Sequence, residues 1–469
     1  MLELFMERYV VIFNVFIAVY LAFYTFILLS NTVYGAFRIL KDEKLETLHN
    51  VLEHDFYYPV SILIPVYNEG KTGLQTVENV LKQDYRLFEV VIIDDGSTDQ
   101  TKQMVIDHFS LEREYDRPIR YLVPCRPIHE VYTGRYQGKE ITLISKANGG
   151  CKADAVNAGI NICKYPYFLN MDGDEILQKD ALVRVARAIM EDDNVIGVGG
   201  NLRISNSVEF KDAMPVRLNF GKKLLPDIQT LEYGRNFAGA RILHNQWNAN
   251  LIISGGYGVF KKSAVVEAGG YNSKSVGEDF EITLRLHKYF KDQKKPYLMK
   301  YVEDSVCWTQ APEKFAGLKK QRRRWHCGLM QTLYNYRRMI LNPKYGVVGM
   351  LMLPIHILYE LLAPVVMILG WVAIAFSLLL KDLNFPFVLF MYLVFVFFNI
   401  LLTELSYAGN CYRKKEKVTA ATLLKIFFIE LYEAFIYRTY VSLVQFFSVF
   451  HFRKVARKWE SPERVEVNA

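Results

Sequence analysis

The sequence predicts an α/β domain built on a mostly parallel sheet and inserted between apolar helices that cross a membrane. Three observations predict it. The chain has 469 residues, 51% of them hydrophobic, and these concentrate before Phe37 and after Tyr345. Residues 56–310 have the mixed polarity of a globular domain and alternate strand-like with helix-like runs, the pattern of β-α-β units. Several of the strand-like runs end in acidic or turn-forming residues, where sheets of this kind bind ligands. With 23% charged and 14% aromatic residues, a disordered chain is excluded. Cys125, Cys151, Cys163, Cys307, Cys327 and Cys411 form no CxxC pair, which excludes a disulfide framework or zinc site and reads as reduced cytosolic thiols. A net charge of +8 suits an anionic membrane surface or anionic substrate and does not itself indicate nucleic acid.

Residues 1–40 read as an N-terminal transmembrane helix. Tyr9 to Phe37 carries no formal charge, and about 20 residues suffice to span. A signal peptide fits poorly, because Glu3, Glu7 and Arg8 precede the run and no small-residue cleavage site follows it. Arg38, Lys41 and Lys44 place the following domain, residues 41–312, in the cytoplasm. Residues 345–451 hold the apolar runs Tyr345–Leu380, Phe385–Tyr407 and Thr419–Phe450, with the basic loop CYRKKEKVT between the last two. The third run contains Glu430, Glu433 and Arg438 and ends on a basic segment, so it reads as a tight hairpin or as a helix lying in the interface. Glu360, Glu404, Glu430 and Glu433 are costly at membrane depth and read either as interhelical contacts or as the lining of a polar conduit. The protein is expected to be a multi-pass protein of the cell membrane.

In the middle, PVSILIPV reads as a strand followed by a helix to Gln83. FEVVIIDD is a second strand with a helix from Thr98 to Phe109. ITLIS leads to the helix Lys152–Cys163, and YFLNMD is a further strand. No GxGxxG or Walker A loop is present, against dinucleotide or P-loop readings. Asp172 and Asp174 flank a glycine at a strand end, where two carboxylates converge on one point and suit Mg²⁺ or Mn²⁺ when a diphosphate completes the shell. Alone, such a triplet is an ordinary surface turn. Asp94-Asp95 sits at an equivalent strand end, either on a base or ribose or as plain turn chemistry. Lys152 opens a helix beside two glycines, fit for an anion or for simple capping. Asp279 near another helix start is either a general base for a hydroxyl or an N-cap.

Residues 313–344 predict an interface helix, Glu313–Ile340. Phe315, Leu318, Trp325, Leu329, Leu333, Tyr336 and Ile340 make its apolar face. Lys319, Lys320, Arg322, Arg323, Arg337 and Arg338 make the opposite, basic face. A helix lying on the lipid surface accounts for most of these residues. It does not require Gln321, Arg324 and Trp325 together.

Pro65-Val66-Tyr67-Asn68-Glu69, DDGST, DGD, GED and QRRRW, in this order and framed by membrane segments, resemble the processive family 2 glycosyltransferases. That group includes bacterial cellulose, poly-N-acetylglucosamine, hyaluronan and mixed-linkage glucan synthases. The resemblance covers nearly the whole chain and implies a GT-A fold, a UDP-sugar donor, inversion at the anomeric carbon and export of the polymer through a channel formed by residues 345–451. It further implies that Glu69, Asp94 and Asp95 hold the uridine and that Lys152 approaches the diphosphate. Asp172 and Asp174 would hold the metal and donor, Asp279 would be the base, Gln321 and Arg324 the diphosphate clamp, and Trp325 the acceptor platform. Residues 452–469 leave no place for a C-terminal regulatory domain, and Trp459 leads a tail similar to the gating segment of single-chain synthases, or else a frayed terminus. The single N-terminal span and short tail favour UDP-glucose and a β-glucan. The alternatives are a poly-N-acetylglucosamine or hyaluronan-type synthase, or a membrane enzyme adding one sugar to a lipid. The expected partners are the UDP-sugar, the growing polysaccharide and the bilayer, without nucleic acid.

Overall fold

A computed structural model describes residues 1–49, 58–218, 220–381, 383, 385–413 and 417–455. Trp459 lies outside the described residues, as does part of the basic loop before Thr419. The strands, numbered in chain order, are β1 (Val60–Val66), β2 (Phe88–Asp94), β3 (Glu112–Arg113), β4 (Ile128–Tyr136), β5 (Lys139–Lys146), β6 (Tyr167–Met171), β7 (Ile176–Leu177), β8 (Val195–Ile204), β9 (Val208–Lys211), β10 (Met214–Leu218), β11 (Tyr257–Lys261) and β12 (Leu298–Thr309). Ten of them form one sheet in the order β3-β4-β5-β2-β1-β6-β11-β8-β12-β7, and β9 and β10 form a separate hairpin.

The centre of the sheet, β5-β2-β1-β6, is parallel. Its apolar residues alternate between two cores, as the period of two requires. Ile62, Ile64, Val90 and Ile92 pack under the helices Gly70–Leu81 and Ala181–Met190, whereas Leu63, Val91 and Ile93 meet Val156 and Ile160 of the helix Lys152–Ile162. The flanks are antiparallel, within the mostly parallel sheet expected: β4, β11 and β7 each pair antiparallel with a neighbour. Strand direction is set by which neighbour a strand pairs with, so it is invisible in sequence. Direction nevertheless matters. Because β11 runs against β6, with Tyr257 opposite Met171, its preceding loop arrives at the edge where β6 ends.

The register brings the motif loops to that same edge. Val66 pairs with Asp94, and Asp94 with Ser145, so the turns after β1, β2 and β5 emerge at one level. Leu63 pairs with Asn170, which puts the turn after β6 beside them.

Among the described residues, two helices are long and apolar enough to cross a membrane, Leu2–Arg38 and Val388–Gly409, or three if the bent pair Val348–Leu361 and Ala363–Leu379 is one span broken by 48°. The expected single run Tyr345–Leu380 is therefore interrupted. The N-terminal helix packs antiparallel to that pair, with the Tyr9 hydroxyl donating to Leu369 O (2.9 Å) and the Tyr20 hydroxyl to Leu358 O (3.0 Å). The last apolar region contains no hairpin turn. Ala420–Tyr432, a π-turn at Glu433–Tyr437 and Arg438–Val455 form one continuous helical path. Its acids face protein: Arg235, on the helix Leu224–Arg235, donates to Glu430 at 2.5 Å and to Glu433 at 2.6 Å. For Glu430 and Glu433 this is the interhelical alternative, with one guanidinium neutralising two carboxylates.

Candidate active site

The loops at the sheet edge are stitched by side chains. Asn68 adopts a left-handed backbone (φ 54°), which its short polar side chain tolerates. Its Oδ1 accepts from Thr98 N at 2.8 Å, and its own N–H donates to Ser97 Oγ at 3.1 Å. Glu69 N donates to Thr101 Oγ1 at 3.0 Å, so the turn after β1 is clamped to the DDGST turn. Asp94 accepts from Ser97 N (3.0 Å) and Ser145 Oγ (3.1 Å). Asp95 is buried, ion-paired with Lys146, and accepts from Gly149 N at 3.1 Å. Burial pushes its carboxyl above the ordinary range against the pull of Lys146. Lys146 is itself buried and also pairs with Asp154 at 2.6 Å. Sequence reasoning missed Lys146 and Asp154. The available signal was a lysine closing an otherwise apolar strand, where a cation is stable only if paired.

At the DGD turn, Asp172 is ion-paired with Lys152, whose Nζ also donates to Gly255 O at 2.6 Å. Burial opposes the Lys152 ammonium, but Asp172, Glu278 and Glu175 together hold its pKa above the usual value. A Cβ on Gly173 would stand 2.3 Å from Glu69 Oε2, so the glycine between the two aspartates is what admits Glu69 to the site. Gly256 is required likewise: its Cβ would lie 1.9 Å from Glu175 Oε1. Burial and the adjacent Asp172 push the Asp174 carboxyl up to about 7, with Lys152 and Arg324 offsetting part of the effect. Glu175 is raised well above its ordinary range by burial and Asp172, and Glu278 is raised by burial and Asp279. Carboxyl groups outnumber the cations Lys152 and Arg324 here, and burial holds Asp174, Glu175 and Glu278 toward their neutral forms. An all-oxygen donor set of this kind fits a hard divalent cation such as Mg²⁺ or Mn²⁺, which would stabilise the ionised carboxylates. Among the described residues no three His, Cys, Asp or Glu side chains close a metal shell by themselves, so Asp172 and Asp174 would leave positions for oxygens of a ligand.

The helix Glu278–Asp292 starts with Gly277 as its N-cap. The N-cap alternative for Asp279 is therefore overturned. Asp279 lies in the first turn, half-buried, with Oδ1 accepting from Phe280 N at 2.8 Å. The helix carrying QRRRW, Phe315–Asn335, crosses that start so closely that a Cβ on Gly328 would lie 2.9 Å from Gly277 Cα. Gln331 locks the crossing by accepting from Val276 N (2.9 Å) and donating to Lys274 O (3.0 Å). Gly277 is the glycine of the GED motif, but its role in the crossing, like Gly328 and Gln331, was missed, because a glycine–glycine crossing is a property of two distant segments.

The faces of this helix correct the sequence expectation. The helix ends at Asn335, and its buried residues are Leu318, Arg322, His326, Cys327, Gly328, Thr332 and Leu333. Arg322, assigned to the basic face, is buried and bidentate to Glu232 at 2.8 and 2.6 Å, with its Nη2 also donating to the Tyr437 hydroxyl at 2.9 Å. Trp325, assigned to the apolar face, is 39% exposed, and the Arg322 guanidinium lies 4.7 Å from its ring centroid. Protein packs on both sides of the helix, so a lipid-facing helical wheel does not describe it. Gln321 keeps a buried Oε1 with no hydrogen-bond partner among the described residues. Arg324 is close enough to Asp174 and Glu278 to act on both charges.

An acidic DGD strand end on a parallel-cored sheet, with a basic helix crossing its general-base candidate, defines a GT-A glycosyltransferase. The chain belongs to the glycosyl transferase family group 2, whose family model matches residues 167–407, and a glycosyl transferase family 2 model matches residues 61–124. It is 29% identical over 274 residues to the poly-β-1,6-N-acetyl-D-glucosamine synthase of Staphylococcus aureus strain COL, covering 58% of this chain and 55% of that protein. It is 28% identical over 281 residues to the enzyme of the same name from Staphylococcus epidermidis, covering 60% and 57%. The chain thus spans just over half the length of these curated relatives. The fold matches the mannosyltransferase PcManGT from Pyrobaculum calidifontis, solved with GDP-Man and Mn²⁺, at a TM-score of 0.51 and 15% identity over 96% of this chain and 99% of that one.

The glycine crossing gives a direct expectation. Gly328→Val places a branched side chain against the Gly277 backbone and should cost about 1–3 kcal/mol of stability, the usual price of overpacking. It should lower transfer activity more than UDP affinity, because it moves the QRRRW helix relative to Asp279. Thermal unfolding, turnover and UDP titration on one preparation measure this, and unchanged turnover would show the crossing to be slack.

Proposed function

We propose that the protein is a processive inverting synthase that polymerises β-linked N-acetylglucosamine from UDP-N-acetylglucosamine on the cytosolic side and passes the product through its membrane helices. The observation that carries the reading is the meeting of Lys152, Asp172, Asp174, Glu278 and Arg324 at one sheet edge, beside Asp279. The names of the relatives move the donor from the expected UDP-glucose to UDP-N-acetylglucosamine.

In this mechanism the acceptor hydroxyl attacks the anomeric carbon on the face opposite UDP. The C1–O bond to the diphosphate breaks, UDP leaves with the electron pair, and Asp279 takes the acceptor proton. Lys152, Arg324 and Gln321 meet the charge that develops on the diphosphate. Asp172 and Asp174 would hold Mg²⁺ or Mn²⁺, which would supply Lewis-acid neutralisation of the leaving group, and PcManGT was solved with Mn²⁺. Glu69, Asp94 and Asp95 shape the uridine pocket, the last two through the turns they fix. The exposed ring of Trp325, oriented by Arg322, is the flat floor on which a pyranose stacks.

The test is incubation of purified protein with each UDP-sugar in turn, followed by linkage-specific hydrolases. UDP-N-acetylglucosamine should give a polymer that a β-1,6-N-acetylglucosaminidase degrades. A polymer formed from UDP-glucose and cut by a β-glucanase would overturn the donor assignment.

A further inference from the structure

Arg241 opens a short helix, Arg241–Gln246, directly after a π-turn at Asn236–Ala240, a distortion that often marks functional positions. Its guanidinium is 4.0 Å from the centroid of Phe237, which is buried and in ring contact with Tyr233 (5.7 Å) and Tyr301 (6.2 Å). One face of the cation is thus covered by an aromatic shelf. Its Nη1 is fully buried and has no hydrogen-bond partner among the described residues. A buried cationic donor without an acceptor is expensive, so such an arrangement persists where a ligand completes it.

The surroundings identify the ligand. Asp279 and Glu360 both act on the Arg241 charge, together with the tyrosines of the shelf. Glu360 belongs to the broken membrane segment, in the π-turn Ile357–Leu361. The same π-turn that precedes Arg241 touches the N-terminal apolar helix, since a Cβ on Gly239 would lie 3.6 Å from Asn31 O. Arg241 therefore stands between the candidate base and the membrane helices, whereas Lys152 and Arg324 serve the DGD side. An anionic ligand there would be repelled by two nearby carboxylates. A neutral, oxygen-rich one would not, because its hydroxyl and amide oxygens accept from the guanidinium without adding charge.

We infer that Arg241 is an acceptor-binding residue, donating hydrogen bonds to the neutral saccharide one or two units behind the sugar whose hydroxyl reacts. This rests on the synthase reading above. It assigns a side chain outside the recognised motifs to hold the polymer between Asp279 and the membrane.

The experiment uses the full chain in lipid nanodiscs, with Arg241→Met and Arg241→Lys beside wild type. Binding of a β-linked N-acetylglucosamine pentamer, UDP affinity and polymer yield are measured on each. Arg241→Met should weaken pentamer binding by about tenfold or more, the worth of a charge-assisted hydrogen bond, with UDP affinity unchanged. Arg241→Lys should recover part of the loss. Unaltered pentamer affinity in Arg241→Met, or a parallel fall in UDP affinity, would overturn the inference while leaving a polymerising wild type as a synthase. A wild type that makes no polymer and binds no pentamer would overturn the synthase reading and the inference with it.

Discussion

Asp279→Asn should slow sugar transfer by about 10²–10⁴-fold, the usual contribution of a general base, and leave UDP affinity unaffected. Asparagine matches aspartate in size, and its amide oxygen still accepts from Phe280 N, so the local bond at 2.8 Å survives. Helix initiation survives as well, because Gly277 is the N-cap. What disappears is the capacity to take the acceptor proton. Turnover and UDP titration of the purified variant separate the two effects. Near-normal turnover would reduce Asp279 to a first-turn helix residue and move the base elsewhere in the site.

Removal of divalent cations should be nearly as damaging, at about 10²–10³-fold, because leaving-group charge would then fall on Lys152, Arg324 and Gln321. Asp174→Asn should imitate chelation. The reaction should also depend on pH in a defined direction. The Asp174 carboxyl, pushed up to about 7 by burial and by Asp172, is protonated below that value and competes poorly for metal there. At limiting metal, activity should fall as pH drops from 8 through about 7, and excess Mn²⁺ should restore it. Full turnover in EDTA would remove the metal from the account and leave the fold intact.

The parallel centre of the sheet and the order of its motifs are legible in the sequence because each depends on local pattern. Ile62 and Ile64 alternate with Leu63, and the acids stand where apolar runs stop. The direction of β4, β7 and β11 is not legible, since it depends on which neighbour each strand finds. The same limit explains the QRRRW helix. Its periodicity shows that one stripe is apolar, but Glu232, which draws Arg322 into the interior, lies 90 residues away in sequence. Motif residues at the site are readable singly. The features that assemble them, Gly277 against Gly328, Gln331 on the loop before Glu278, Lys146 between Asp95 and Asp154, are pairings between distant segments.

The central claim, that this glycosyltransferase builds a polymer and retains it between additions, is tested most directly by product length at low donor conversion. Purified protein in nanodiscs is given labelled UDP-N-acetylglucosamine, and products are sized when only a small fraction of donor is consumed. Long chains beside unextended acceptor are predicted, because the acceptor held at Trp325 and Arg241 stays bound through successive transfers. A single added sugar, or a ladder that lengthens evenly with time, would contradict it.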